Sequence, residues 1–198
     1  MITGVIILAA GNSSRLGQPK QNLFYKDTTL LGRAINAAVN SVCEPVIVVA
    51  GAYDIDPSYV PACKTTHIVK NENWRQGISS SIKCGVDKLQ NIEPAVTDAV
   101  IMLCDQPFAT AALLNSLVAE RINSHREIIA CSYNHTLGVP ALFHKKFFAQ
   151  LLSLQGDEGA KKIIFGNQSS MASVPFPLGN TDIDTAEDYE KLLNYKEL

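Results

Sequence analysis

Two glycines and two cations follow one apolar run: Ile6-Ile7-Leu8-Ala9-Ala10 leads into Gly11-Asn12-Ser13-Ser14-Arg15-Leu16-Gly17-Gln18-Pro19-Lys20. Gly11 and Gly17 permit backbone conformations that a Cβ resists, so the loop's N–H groups can turn inward and approach phosphate oxygens closely. Arg15 and Lys20 add full positive charge. The chemistry this set can do is the binding of a polyphosphate such as a nucleoside triphosphate. The spacing excludes a P-loop, which needs Gly-Lys-Ser/Thr at its end, and the three-glycine dinucleotide fingerprint. For a bare glycine pair, an ordinary strand-to-helix turn with exposed basic residues is the alternative.

Carboxylates supply the second half of the chemistry. Asp105 directly follows the apolar run Val100–Leu103, where it can hold Mg²⁺, a hard cation that shares carboxylate oxygens with substrate phosphates; equally, it can be a helix cap or turn residue. Asp182 and Asp184 precede the last helical stretch two residues apart, on one face, either as metal carboxylates or as cap-and-turn residues. Gly77-Ile78-Ser79-Ser80-Ser81 offers a glycine, small hydroxyls and a helix start, suited to a base and ribose or to plain N-capping. Trp74 can wall a pocket or fill core. His135 and His144 read as surface or packing residues and are left out of the site.

The elements that must position these groups form an alternating series. Val5–Leu8, Val46–Ala50 and Val100–Leu103 are continuous apolar runs without period-two alternation, as expected of parallel strands covered on both faces. Between them, Thr29–Val42 carries Leu30, Leu31, Ala34, Ile35, Ala38 and Val39 on one helical stripe, and Ser79–Leu89 and Ala111–Ile122 behave similarly. Further on, strands are expected at Ile128–Tyr133 and Met171–Val174, and helices near Lys145–Leu152, Glu158–Phe165 and Thr185–Leu193, the last capped by Thr185 with Asp188 three residues on. Loops are expected at Asp54–Pro61 and Pro175–Thr181. Alternating strand and helix predicts an α/β chain: a three-layer α/β/α arrangement around a Rossmann-like, mostly parallel sheet. Ligands of such sheets bind beyond the carboxyl ends of the strands, so Gly11–Lys20 and Cys104–Pro107 face one crevice.

Composition narrows the classes. The 198 residues are 46% hydrophobic with a net charge of -2, enough for a sizeable core in one domain and without the massed Lys and Arg that hold nucleic acid. No run approaches the roughly 20 apolar residues of a membrane span, and Met1–Ala10 lacks a basic leader, so a cytoplasmic protein with no membrane partner is expected. Cys43, Cys63, Cys84, Cys104 and Cys131 are scattered without a Cys-x-x-Cys pair, which predicts reduced and mostly buried thiols.

The string from Leu8 to Lys20 resembles the Leu-Ala-Ala-Gly-x-Ser-x-Arg-x-Gly-x-Pro-Lys motif of MobA-like nucleotidyltransferases, in particular the molybdenum cofactor cytidylyltransferase branch. Further matches follow in the family's order: Asn73–Ser81, Leu103–Pro107, Gly138–Phe143, Gly156–Lys161 and Asp182–Tyr189, spanning nearly the whole chain. The resemblance implies the nucleotide-diphospho-sugar transferase type of fold in a single domain, with a nucleotide-binding half over about 1–110 and an acceptor-binding half over about 111–198. It implies Arg15, Lys20 and Asp105 as catalytic residues and Mg²⁺ on Asp105 and Asp184, with Asp182 as the reverse choice. Leu8, Ala9, Ala10, Gly11, Ser13, Ser14, Arg15, Gly17, Lys20, Gly77, Ser79 and Ser81 then bind the nucleotide. Gly138, Pro140, Gly156, Asp157, Gly159 and Lys161 face the acceptor. Two departures lie on that side: Val139 stands where many relatives carry His, and Lys161 where Arg is usual, a point charge in place of a bidentate fork.

The activity implied is transfer of CMP from CTP to molybdopterin, or its molybdenum-bearing form, with release of pyrophosphate; a molybdoenzyme or its maturation chaperone would receive the product. The Leu-Ala-Ala-Gly and Gln-Pro-Lys forms resemble the cytidylyl branch, whereas the GTP-using guanylyl branch tends to carry Leu-Ala-Gly-Gly and Asp-Lys. A transferase acting on a sugar or polyol phosphate is the nearest rival, and a non-catalytic maturation protein is the rival of another class.

Overall fold

The computed structural model describes residues 1–56 and 65–195. The expected loop at 54–61 therefore falls largely outside the described residues, and Cys63 falls wholly outside them. Nine strands occur among the described residues: β1 (Thr3–Ala9), β2 (Phe24–Tyr25), β3 (Thr28–Thr29), β4 (Val46–Ala50), β5 (Thr66–Lys70), β6 (Asp98–Leu103), β7 (Ile128–Tyr133), β8 (Thr136–His144) and β9 (Met171–Pro175). The helices are α1 (Leu30–Val39), α2 (Ile78–Ile92), α3 (Ala111–Ser124), α4 (Phe148–Leu152), α5 (Ala160–Gly166) and α6 (Ala186–Leu193). Seven strands form one sheet in the order β5-β4-β1-β6-β8-β7-β9, and only β8 runs against the others; β2 and β3 form a separate hairpin.

The uniformly apolar central strands are buried on both faces, and their side chains alternate between two cores. Val5, Ile7 and Ala9 meet Leu31, Ile35 and Ala38 of α1 and Leu114 and Leu117 of α3. Ile6, Leu8 and Ala10 meet Ile82, Val86 and Leu89 of α2, and the same cluster takes in Leu151 of α4 and Ile163 of α5. A sheet between two helical layers results, as the sequence predicts. A third, smaller core joins Leu23, Tyr25 and Leu30 to Ile183 and Leu192, fastening the C-terminal segment onto the chain just beyond the Gly11 loop. Tyr189 Oη donates to the Phe24 carbonyl at 2.7 Å across the same junction.

The expected helix at 29–42 stops at Val39, because Asn40 and Ser41 turn their side chains back to the carbonyls of Asn36 and Ala38 and satisfy the open helix end. Helix α2 runs on past Leu89 to Ile92, and Lys145–Phe147 forms a 3-10 turn ahead of α4. Thr185 and Asp188 form the reciprocal capping box expected at α6. Two sheet strands escape the apolar-run criterion. Strand β5 is a half-exposed edge carrying His67 and Lys70, and β8 is interrupted by Gly138 and Pro140.

Among the described residues no helix is long and apolar enough to cross a membrane.

Candidate active site

Strand order fixes where a crevice opens. From β1 the chain moves outward through β4 to β5, then returns across the sheet by α2 to β6 on the opposite side of β1. The carboxyl ends of β1 and β6 thus diverge into loops at the switch point, the place where open α/β sheets take ligands. A cavity of about 510 Å³ lies there, lined by Leu8–Asn12, Lys20 and Gln21 from the β1 side and by Leu103–Asp105 from the β6 side. Trp74, Arg75, Gly77, Ile78 and Ser81 form another wall, and Asp157, Asp182 and Asp184 complete it.

Ser13 organises the loop after β1. Its carbonyl accepts from the amides of Leu16 and Gly17, at 3.0 and 3.2 Å, and its Oγ accepts from Lys20 N at 3.0 Å. Ser13 itself takes φ +51° and Gly17 φ +72°. Gly11 corrects the reading of a left-handed glycine. It needs no positive φ, and a Cβ there would meet nothing within 4 Å. Its lack of a side chain leaves room in the cleft.

Asp184 and Asp182 are placed by the residue between them. Ile183 is fully buried in the third core, and its amide donates to the Asp105 carbonyl at 3.3 Å. This ties the segment before α6 to the end of β6, so both aspartates reach the same cleft as Asp105.

Lys20 Nζ lies between two of these carboxylates, donating to Asp105 Oδ2 and, at 3.0 Å, to Asp184 Oδ1. Burial draws the Lys20 pKa down, but the Asp105 and Asp184 charges outweigh it and hold the ammonium above its usual value. Asp105 Oδ1 is buried without a partner. Burial, then the Asp105 and Asp184 charges, push Asp182 up to about 6, with Lys20 and Lys161 opposing.

Arg15 is largely exposed, its Nη1 4.0 Å from Asp184 Oδ2. With Ser13 and Ser14 it lines an adjoining cavity of about 230 Å³. Gly17 lies off both linings.

On the other wall, Gly77 takes φ +93°, and a Cβ there would strike the Gly156 backbone. Asn71 Nδ2 donates to Ser80 Oγ at 2.8 Å and Ser81 Oγ at 3.0 Å, which sets Ser81 at the cleft. Ser79 is 2% exposed and lies off the lining; its amide donates to the Gly156 carbonyl. Of the six residues expected at the acceptor, only Asp157 lines the main cavity. Gly138 and Pro140 lie on β8, Gly159 begins α5, and Gly156 makes a left-handed turn. Lys161 Nζ sits 5.9 Å from the Tyr133 ring centroid.

Sequence reasoning passed over Gln21, Arg75, Gln106 and Tyr133. Gln106, 4% exposed, donates through Nε2 to the carbonyls of Val139 and Gly179, at 3.1 and 3.2 Å, bracing the loop after β6. Its place inside the Asp-Gln-Pro string was a usable signal. Trp74, left open between wall and core, is both: it lines the cleft and packs against the α2-side core. His144 Nδ1 accepts from Lys146 N at the start of the 3-10 turn.

The chain matches the MobA-like NTP transferase domain over residues 5–171. It belongs to that family. PucB, a purine catabolism protein of Bacillus subtilis, is 28% identical, with 93% of each chain covered. The molybdenum cofactor cytidylyltransferase of Escherichia coli is 25% identical, covering 93% of this chain and 92% of that one. Among solved structures, Rv0371c of Mycobacterium tuberculosis superposes with a TM-score of 0.82 at 30% identity, over 98% of this chain and 99% of that one. A second structure of that protein, in complex with manganese, superposes with a TM-score of 0.73. The fold is of the nucleotide-diphospho-sugar transferase type. The protein is a MobA-like nucleotidyltransferase.

The donor set fits a small divalent cation. Its oxygens are hard carboxylates, Asp105 has an unpartnered buried oxygen, and a cationic ammonium already sits between Asp105 and Asp184. Among the described residues no group of three or more His, Cys, Asp or Glu side chains is arranged to hold a metal ion by itself.

Proposed function

We propose that this chain transfers CMP from CTP to the phosphate of molybdopterin, releasing pyrophosphate. The observation that carries the reading is the convergence of Lys20, Asp105 and Asp184 on one point at the mouth of the glycine loop. An oxygen of the acceptor's phosphate monoester bonds to the α-phosphorus in line, and the bond from that phosphorus to the β-phosphate oxygen breaks. Pyrophosphate carries the electron pair away, and no side-chain nucleophile is needed.

Each residue then has a role in positioning or charge compensation. Gly11, Ser13 and Ser14 receive the triphosphate, in a loop whose turn Gly17 holds. Lys20 and Arg15 offset charge on the transition state and on the leaving pyrophosphate. Asp105 and Asp184 would hold Mg²⁺, which would supply positive charge to offset the negative charge developing on the phosphates. Leu8, Ala9, Ala10, Gly77 and Ser81 frame the nucleoside by backbone and small side chains, with Ser79 behind them tying the start of α2 to Gly156. Gly138, Pro140, Gly156, Asp157, Gly159 and Lys161 face the acceptor. The nucleotide half, 1–110, and the acceptor half, 111–198, make one domain around one sheet. The kinship with the E. coli cytidylyltransferase and the Leu-Ala-Ala-Gly form of the loop support CTP and the pterin; the manganese complex of Rv0371c supports a divalent cation.

The test is pyrophosphate release from CTP, GTP, ATP and UTP with Mg²⁺, with and without molybdopterin. Release from CTP only when the pterin is present is expected. Release dependent on glucose 1-phosphate instead, or silence with every nucleotide and both acceptors, would overturn the reading.

A further inference from the structure

The cleft's charges are unevenly spent. Four carboxylates line it, those of Asp105, Asp157, Asp182 and Asp184, while Lys20 is engaged by two of them. Arg75 also lines the cleft and has no ion-pair partner among the described residues. Its guanidinium carbon lies 4.3 Å from the centroid of the Trp74 ring. Trp74 in turn packs against the core that contains Leu8, Val49 and Ile82. A planar fork of N–H donors is thus braced on an anchored aromatic shelf, with its hydrogen bonds unused.

Its place in the sheet says which end of a nucleotide it meets. Trp74–Gln76 forms the turn between the edge strand β5 and Gly77, the start of α2. Asp105 leaves β6, three strand positions from β5 in the order β5-β4-β1-β6, or about 14 Å at the usual strand spacing. A phosphate chain held between the glycine loop and Asp105 therefore leaves its nucleoside on the Arg75 side, beside Gly77 and Ser81, while the acceptor approaches from the Asp182 side.

We infer that Arg75, braced by Trp74, reads the edge of the nucleobase and favours bases that present two neighbouring hydrogen-bond acceptors. Cytosine offers O2 and N3, and guanine offers O6 and N7. Uracil interrupts its acceptors with N3–H, and adenine sets an amino donor beside N7 and N1. The inference rests on the nucleotide reading proposed above and adds the residue that would select among nucleotides.

Trp74 is the chain's single tryptophan, so its fluorescence reports occupation of the cleft without any turnover. The full chain and its Arg75→Gln and Arg75→Lys variants are titrated with CTP, GTP, UTP, ATP and inorganic pyrophosphate in the presence of Mg²⁺, and calorimetry repeats each titration without reliance on the indole. The wild type is expected to bind CTP and GTP about tenfold tighter than UTP and ATP, the discrimination of one bidentate contact. Both variants should bring CTP and GTP down to the UTP level and leave pyrophosphate affinity unchanged; Arg75→Lys keeps the charge and so separates the fork from mere attraction. Equal weakening of CTP, UTP and pyrophosphate would overturn the inference, as would a CTP-to-UTP ratio that survives both substitutions. Failure of every nucleotide and of pyrophosphate to bind the wild type by either method would instead remove the nucleotide reading itself.

Discussion

Replacing Lys20 by methionine separates its two electrostatic duties. In the protein without ligand the ammonium links Asp105, whose side chain is 7% exposed, to Asp184, which is 51% exposed. Removing one partner of a fully buried pair costs about 3–5 kcal/mol. Here one carboxylate is half solvated and the cleft is open to water, so the loss should be about 2 kcal/mol, within the range for an orphaned charged hydrogen-bonding group. For a chain of this length that lowers Tm by about 4–8 °C.

The same 2 kcal/mol works in the opposite sense on metal binding. A divalent cation entering the wild type must displace the ammonium from the two carboxylates, whereas in Lys20→Met it meets them free. Nucleotide-free Lys20→Met should therefore bind Mn²⁺ about 30-fold more tightly than the wild type. Mn²⁺ at 100 times its Kd should add about 2.7 kcal/mol to the variant, recovering the lost Tm. Calorimetry and thermal unfolding with and without Mn²⁺ measure both effects, and Asp184→Asn supplies the control that loses the gain. Equal Mn²⁺ affinity in wild type and Lys20→Met would refute the reasoning, because it would mean that the ammonium and the cation do not share a site.

Gly77→Ala should lower stability by about 2–4 kcal/mol, read by chemical denaturation, since φ +93° and the Gly156 backbone both oppose a Cβ. Gly11→Ala, with nothing within 4 Å of its Cβ, should leave stability within about 0.5 kcal/mol and weaken nucleotide binding by filling the cleft. Asp182 titrates in the folded protein at about 6 against a usual 3.8, so the folded state binds the proton more readily and this carboxyl's contribution to stability falls as pH rises between those values. Asp182→Asn should accordingly raise Tm above pH 6 and leave it unchanged near pH 4 in thermal scans across pH. Burial pushes the Cys104 and Cys131 thiols up to about 12, so at pH 8 iodoacetamide should modify Cys84 ahead of either, as mass spectrometry would show.

The central strands were legible because a parallel strand covered on both faces leaves a continuous apolar run, and β1, β4 and β6 each leave one. Strand β8 leaves none: it runs antiparallel, and Gly138 and Pro140 break its pattern. The phosphate-side residues were legible for a related reason. Gly11–Lys20 and Asp105 each follow a readable strand, so local sequence already sets them at its carboxyl end. Gln21 follows Lys20 and Arg75 follows Trp74, residues already singled out, and both were missed for want of a distinct chemical signal, whereas Tyr133 reaches the site region through packing between distant segments, which no local spacing announces. Tyr133, for instance, lies under Lys161 and feels the Asp182 charge, partners 28 and 49 residues away.

One arrangement explains why the cleft can be stable when empty and still accept a polyanion. Asp105, Asp182 and Asp184 together repel phosphate, and burial, with the Asp105 and Asp184 charges adding to it, already holds the Asp182 pKa up. The Lys20 ammonium relieves it in the free protein by pairing with Asp105 and Asp184. In that state Lys20 is not available to phosphate, and a nucleotide without a divalent cation meets a net negative wall. A cation arriving with the triphosphate would change both conditions: held by Asp105 and Asp184, it would supply the positive charge that Lys20 gives them in the free protein and leave the ammonium available to phosphate. On the proposed reading Lys20 would then turn from an internal counter-ion into a contact for the leaving pyrophosphate, so metal and nucleotide are expected to bind with positive coupling that Lys20→Met reduces.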